Sequence, residues 1–242
     1  MLLLALDTCD PHGSVAVLRD AEVLGSRAHD SAEEYSSWLL PSVTELLASI
    51  GLGLADIEVY AAAAGPGSFT GVRVALTTAK AWAEVYGRRI AVVSRLEAIA
   101  AQGTGSEPYV AAFAAARRGQ IYGALYRKAA GKLERVGDEM VIAPERFVVW
   151  AVEQSGLEAI GWVSTEPACV TETQTWAARR SLGETFDAAA LVLAPAIGRI
   201  GHQLSNQGRL VDALDLDANY VRRSDADTSW QDRQGSQGTG RG

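Results

Sequence analysis

Ile57-Glu-Val-Tyr-Ala-Ala-Ala-Ala-Gly65-Pro-Gly-Ser-Phe-Thr-Gly71-Val-Arg73 passes from an apolar run, through a turn of three glycines and a proline, into helical spacing. Residues 57–63 predict a strand, and residues 72–86, closed by Gly87, a helix. A strand that feeds a helix this way gathers backbone N–H groups and the positive end of the helix dipole at one point, a natural anion site. Glycine there lets the backbone take positive φ or approach a ligand closely. No Gly-Lys-Ser/Thr follows, and Gly65, Gly67 and Gly71 miss the dinucleotide spacing. Two readings stand on chemistry alone. Gly65, Pro66, Gly67, Ser68, Thr70 and Gly71 contact a nucleotide or other anion, or they form a tight turn with Ser68 and Thr70 as N-caps.

Toward the N-terminus, residues 2–6 are continuously apolar, as in a strand covered on both faces. Turn residues fill positions 7–13, and strands are predicted at 14–18 and 23–28, giving a three-stranded antiparallel meander. The period then changes. Tyr35, Trp38, Leu39, Val43, Leu46, Leu47 and Ile50 fall in steps of three and four, a helical stripe over 35–50. Ser36 or Ser37 is its expected cap and Gly51 its end, with Pro41 in the first turns. Beyond the glycine turn come a strand at 90–93 and a helix at 95–102. The order βββαβαβα implies a mixed sheet with helices on its faces, the ribonuclease H-like module.

Residues 103–106 read as a linker. Strands follow at 109–114, 121–127 and 132–142, with a turn at 116–120. A helix at 144–154, a strand at 158–163 and helices at 171–182 and 195–207 complete the prediction. The second half is a shortened echo of the first in element order. The expected division is 1–104 for the first lobe, 105–223 for the second, and 224–242 for a polar tail too poor in apolar residues to offset its ordering entropy. Trp230 in that tail reads as a stray exposed aromatic rather than a partner anchor.

Of the 242 residues 48% are hydrophobic and 21% charged, which excludes a disordered or collagen-like chain. The formal charge of −7 makes it a poor autonomous binder of tRNA or DNA, since phosphate neutralisation supplies most of such affinity. Arg117/Arg118, Arg127/Lys128 and Arg179/Arg180 accordingly read as solvated turn cations, with contact to tRNA the alternative. Cys9 and Cys169 form no disulfide framework, and His12, His29 and His202 are scattered with no HExxH, so no metal site is expected. The apolar run at residues 1–6 is too short for a membrane span, and a soluble, cytoplasmic protein is expected.

Gly65-Pro-Gly-Ser-Phe-Thr-Gly71-Val-Arg73 with Thr77-Thr-Ala-Lys80 closely resembles the signature of the TsaB (YeaZ) family, bacterial threonylcarbamoyladenosine-biosynthesis proteins. Leu4-Ala-Leu-Asp7-Thr8 with Gly13-Ser-Val-Ala-Val resembles it too, as do Leu39-Leu-Pro41, Val93-Ser-Arg-Leu-Glu97-Ala, Arg117-Arg-Gly-Gln-Ile-Tyr122 and Asn219-Tyr-Val-Arg222. The resemblance is dense in the first lobe and thin across residues 130–215.

That resemblance implies two lobes of the actin/Hsp70/sugar-kinase type. It implies a non-catalytic subunit that pairs with a catalytic paralogue, TsaD, and recruits an ATPase, TsaE, to form threonylcarbamoyladenosine beside the anticodon in tRNAs reading codons that begin with A. Contact with tRNA is then indirect. Cofactor use is expected to be nil apart from weak adenine-nucleotide contact at Asp7, Thr8 and the glycine turn. Asp7 and Thr8 otherwise close an Asx turn. Tyr35 stands where the family often has His, and Ala115 where it often has Asp, which weakens metal-nucleotide chemistry. Tyr35, Trp38, Leu39, Val43, Leu46 and Leu47 on the first long helix, with Val72, Arg73, Leu76, Ala79 and Trp82 on the second, are the expected interface with the paralogue. Ala75, Ala79 and Ala83 form a smooth ridge there. An ATP-dependent kinase or carbamoyltransferase of the same superfamily is the competing reading. A homodimer using the same helical face is a third.

Overall fold

The structure, a computed structural model, describes residues 1–29, 33–129 and 131–216. The expected tail, Trp230 and the 219–222 motif lie outside the described residues.

The first lobe is built on β1 (Leu2–Asp7), β2 (Ser14–Arg19), β3 (Glu22–Ala28), α1 (Tyr35–Ser49), β4 (Val59–Ala63), α2 (Phe69–Tyr86), β5 (Arg89–Val93) and α3 (Arg95–Ala100). The second contains β6 (Tyr109–Ala115), β7 (Ile121–Ala129), β8 (Lys132–Ile142), α4 (Pro144–Gln154), β9 (Ile160–Ser164), α5 (Ala168–Thr171), α6 (Gln174–Ser181) and β10 (Phe186–Ala188), and α7 (Ala194–Asn206) follows. The sheet orders are β3-β2-β1-β4-β5 and β10-β9-β6-β7-β8. In each, the first three strands pair antiparallel and the fourth and fifth add in parallel. The fold is thus α/β with two ribonuclease H-like lobes, the second abbreviated: its fifth strand has 3 residues.

Side chains alternate across a strand, so each face of the first sheet has its own cover. Tyr60 faces α2, its ring 5.8 Å from that of Trp82. The neighbouring Ala61 faces α7, whose Gly201 lies so close that a Cβ there would stand 2.7 Å from Ala61 Cβ. α1 lies on the α2 side, with Leu46 against Gly25 of β3. The same alternation divides β6. Ala112 and Ala114 join the apolar cluster of the first lobe, around α3, while Ala111 and Phe113 join Phe147, Trp162 and Trp176 beneath α4–α6.

Several expectations need correction. The lobe boundaries fail at the C-terminal end, because α7 packs on β1, β2, β4 and β5 of the first sheet. Its N-terminus is held there by Ala194 N–H donating to Ser14 Oγ at 3.0 Å, and Val211 forms a two-way backbone bridge with Ile90. The physical reason is that β1, β2 and β4 are apolar on both faces, and α1 and α2 cover only one. The helix expected at 171–182 is broken into α5 and α6, because Thr173 leaves the helix to accept from Trp176 N–H at 3.2 Å. α1 is entered at Glu34 with no side-chain cap, so neither Ser36 nor Ser37 serves. α2 begins three residues early, at Phe69, and β10 was not foreseen.

Candidate functional site

Asp7 and Thr8 end the central strand of the first sheet, where the glycine turn and the start of α2 meet it. Both are fully buried. Asp7 Oδ1 accepts from Cys9 N–H at 2.9 Å, the Asx turn expected of that position. Asp7 Oδ2 lies 3.5 Å from Arg95 Nε, an ion pair without a hydrogen bond. Arg95, the first residue of α3, is 2% exposed. Its Nη2 bonds Asp10, and its backbone N–H donates to Gly65 O at 2.7 Å. One residue therefore ties the β1–β2 turn to the glycine turn, its guanidinium at Asp7 and Asp10 and its backbone N–H at Gly65.

The Thr8 hydroxyl donates to Gly71 O at 2.6 Å and accepts from Ala75 N–H at 3.1 Å, locking the strand end to the first turns of α2. Ser68 N–H donates to Cys9 O at 2.6 Å. A Cβ on Gly71 would stand 1.9 Å from Thr8 O, and one on Gly67 2.4 Å from Cys9 O. These two glycines are demanded by the chain's own backbone. Gly65 has φ +101°, which favours glycine for its dihedral. Ser68 caps α2, accepting from Gly71 N–H at 3.4 Å, whereas Thr70 is exposed and caps nothing. Arg73 lays its guanidinium 3.7 Å over the Phe69 ring. From the second lobe, the Tyr122 hydroxyl donates to Gly67 O at 3.3 Å.

A second layer closes this centre. Tyr35 OH donates to Asp10 O, and its ring stacks on His29 at 4.2 Å. The two His29 nitrogens face Pro11 O at 2.8 Å and Glu33 O at 2.7 Å. Burial pushes the Tyr35 hydroxyl and the Cys9 thiol up, and the Asp7 charge adds to both. In the second lobe Ala115 leaves the strand end without a carboxylate of its own. Glu166, after β9, supplies one by accepting from Ala115 N–H at 2.8 Å.

The fold thus brings Asp7, Thr8, Gly65, Pro66, Gly67, Ser68 and Gly71 together. The partner stripe is corrected. Trp38, Leu39, Val43, Leu46, Leu47, Val72, Leu76 and Ala79 are all buried in the chain's own core, because the sheet needs both helices to cover that face. Tyr35 and Trp82 are half-buried, and only Arg73 of that set is exposed. The outer faces of the two helices carry Leu40, Phe69 and Val85 instead. Arg95, Asp10 and Glu166 were not singled out from the sequence. A charged residue in the first turn of α3, two positions before Glu97, looks solvent-facing, and nothing local signals its burial.

No group of three or more His, Cys, Asp or Glu is arranged to hold a metal among the described residues. No helix among them is long and apolar enough to cross a membrane.

A family model described as TsaD: tRNA N6-adenosine threonylcarbamoyltransferase matches residues 23–172. The tRNA threonylcarbamoyladenosine biosynthesis protein TsaB of Bacillus subtilis is 35% identical over 136 residues, 56% of this chain and 59% of that protein. The solved structure of YeaZ from Pseudomonas aeruginosa superposes with a TM-score of 0.71 at 27% identity, covering 90% of this chain and 99% of that one. The chain belongs to the TsaB (YeaZ) family. An uncharacterized protein of Mycobacterium tuberculosis is a further relative, 30% identical over 183 residues and 85% covered. The family model spans the glycine turn, Arg95 and the meander of the second lobe. α7, which covers the back of the first sheet, lies beyond the matched residues.

Proposed function

We propose that this protein is a non-catalytic subunit in the formation of threonylcarbamoyladenosine on tRNA, docking a TsaD-type paralogue and working with a TsaE-type ATPase. Relatives from Bacillus subtilis and Escherichia coli carry that biosynthetic name. The observation that carries the non-catalytic part is the Asp7–Arg95 pair. The carboxylate at the end of the central strand, the position from which an acid would organise magnesium-nucleotide, is buried against a guanidinium of its own chain. Gly67 and Gly71 of the adjoining turn are closed against the chain's own carbonyls, Cys9 O and Thr8 O. Docking is assigned to the outer faces of α1 and α2, where Leu40, Phe69 and Val85 are exposed. With a charge of −7, contact with tRNA runs through the assembly.

Reconstitution on unmodified tRNA tests this. The modified nucleoside should form with paralogue and ATPase only when this chain is added, and the chain alone should turn over neither ATP nor tRNA. Modification without it, or ATP hydrolysis by the isolated chain, refutes the reading. Leu40→Glu and Val85→Glu should shift the heterodimer peak in size-exclusion chromatography while leaving the circular dichroism of the free chain unchanged.

A further inference from the structure

A cavity of about 350 Å³ opens where α3, α7 and the β7–β8 turn meet, within the range of small-molecule sites. Neither Asp7 nor Arg95 nor any residue of the glycine turn lines it. Three cations converge on it from different elements: Lys128 and Lys132 on the β7–β8 hairpin and Arg199 on α7. Among the described residues none of the three has a carboxylate within ion-pair distance. That is notable in a chain with 29 acids against 22 Lys and Arg. Lys128 Nζ donates to Gly105 O at 2.5 Å, beside the lining. The one carboxylate in the lining is Glu97, whose carboxyl burial pushes up. Leu133 and Ile200 give the cleft an apolar wall.

We propose that this cleft binds a small organic phosphate, its phosphate held by Lys128, Lys132 and Arg199 and its body lying on Leu133 and Ile200. A phosphomonoester carries about −1.5 to −2 at neutral pH and matches the cleft's excess of positive charge, whereas a monocarboxylate does not. Arg and Lys bond phosphate oxygens with charge-assisted donors, and the apolar wall distinguishes an organic phosphate from the bare ion.

Titration calorimetry of the full chain at about 0.15 M salt tests this with ribose 5-phosphate, glycerol 3-phosphate, ribose and inorganic phosphate as probes. At least one of the two organic phosphates should bind saturably, more tightly than inorganic phosphate, and ribose should give no heat. Lys132→Glu and Arg199→Glu, both at exposed positions, should each weaken binding by roughly tenfold or more with an unchanged melting temperature. Failure of both organic phosphates to bind overturns the proposal, as does equal affinity in the two variants or equal binding of ribose. The readout is binding alone, so either result leaves the tRNA-modification reading untouched.

Discussion

Arg95 Nε stands 3.5 Å from Asp7 Oδ2, and both side chains are withdrawn from solvent at 3% and 0% exposure. The pair joins the end of the central strand to the start of the helix that leads into the second lobe. Removing one partner leaves a buried charge unmatched, which costs far more than the pair itself contributes. Arg95→Ala should lower unfolding free energy by about 3–5 kcal/mol in urea titration, and Asp7→Asn combined with Arg95→Met should recover part of that loss. A loss under about 1 kcal/mol for Arg95→Ala would place the pair in solvent and undo the argument.

Gly71 offers a test with opposite signs. In an ordinary exposed helix, Gly→Ala stabilises by about 1 kcal/mol. Here the new Cβ meets Thr8 O at 1.9 Å, backbone that cannot rotate away. Gly71→Ala should therefore destabilise, by about 1–3 kcal/mol. A stabilised variant would show that the strand end and α2 are further apart than described.

The buried stripe makes its own prediction. Leu46 and Ala79 are 4% and 0% exposed. Leu46→Glu and Ala79→Glu should unfold or strongly destabilise the chain, as a buried charge without a partner does. Loss of partner binding by those variants then reports folding, and only the outer positions report docking. Thermal melts of the free variants separate the two.

Glu97 sets a pH dependence whose sign can be worked out. Burial raises its carboxyl above the ordinary value of 4.5. The folded chain then holds a proton that the unfolded chain releases, so stability falls as pH rises above 4.5 until the native group ionises. Glu97→Gln removes that loss. Its melting temperature should exceed that of the wild type at neutral pH, and the difference should shrink in acid below the ordinary value. A difference that is constant with pH would mean Glu97 is solvated.

The two thiols should behave differently. Cys9 is fully buried, and burial with the nearby Asp7 charge raises it well above the usual range; Cys169 is only partly buried and is raised less. With a thiol reagent at mild alkaline pH, Cys169 should react in the native protein and Cys9 only after denaturant is added. Native-state labelling of Cys9, read by mass spectrometry of peptides, would contradict the packing of the β1–β2 turn.

Local pattern alone determined the element order of the first lobe, its echo in the opening of the second and the helix ends at Gly51 and Gly87, because hydrophobic period and turn chemistry act within a few residues. It marked the glycines, and the family resemblance joined Asp7 and Thr8 to them as one locus. Tertiary structure decided what those residues meet. The same helical stripe serves a partner or the chain's own sheet, and only the path of the sheet, apolar on both faces, assigned Trp38, Val43 and Ala79 inward and brought α7 back from the far end of the chain to cover the other side. A lone arginine reads the same whether solvated or buried. Arg95 became the keystone of the centre only because folding carried Asp7, Asp10 and Gly65 to it across many residues of chain, and no local signal encodes such a meeting.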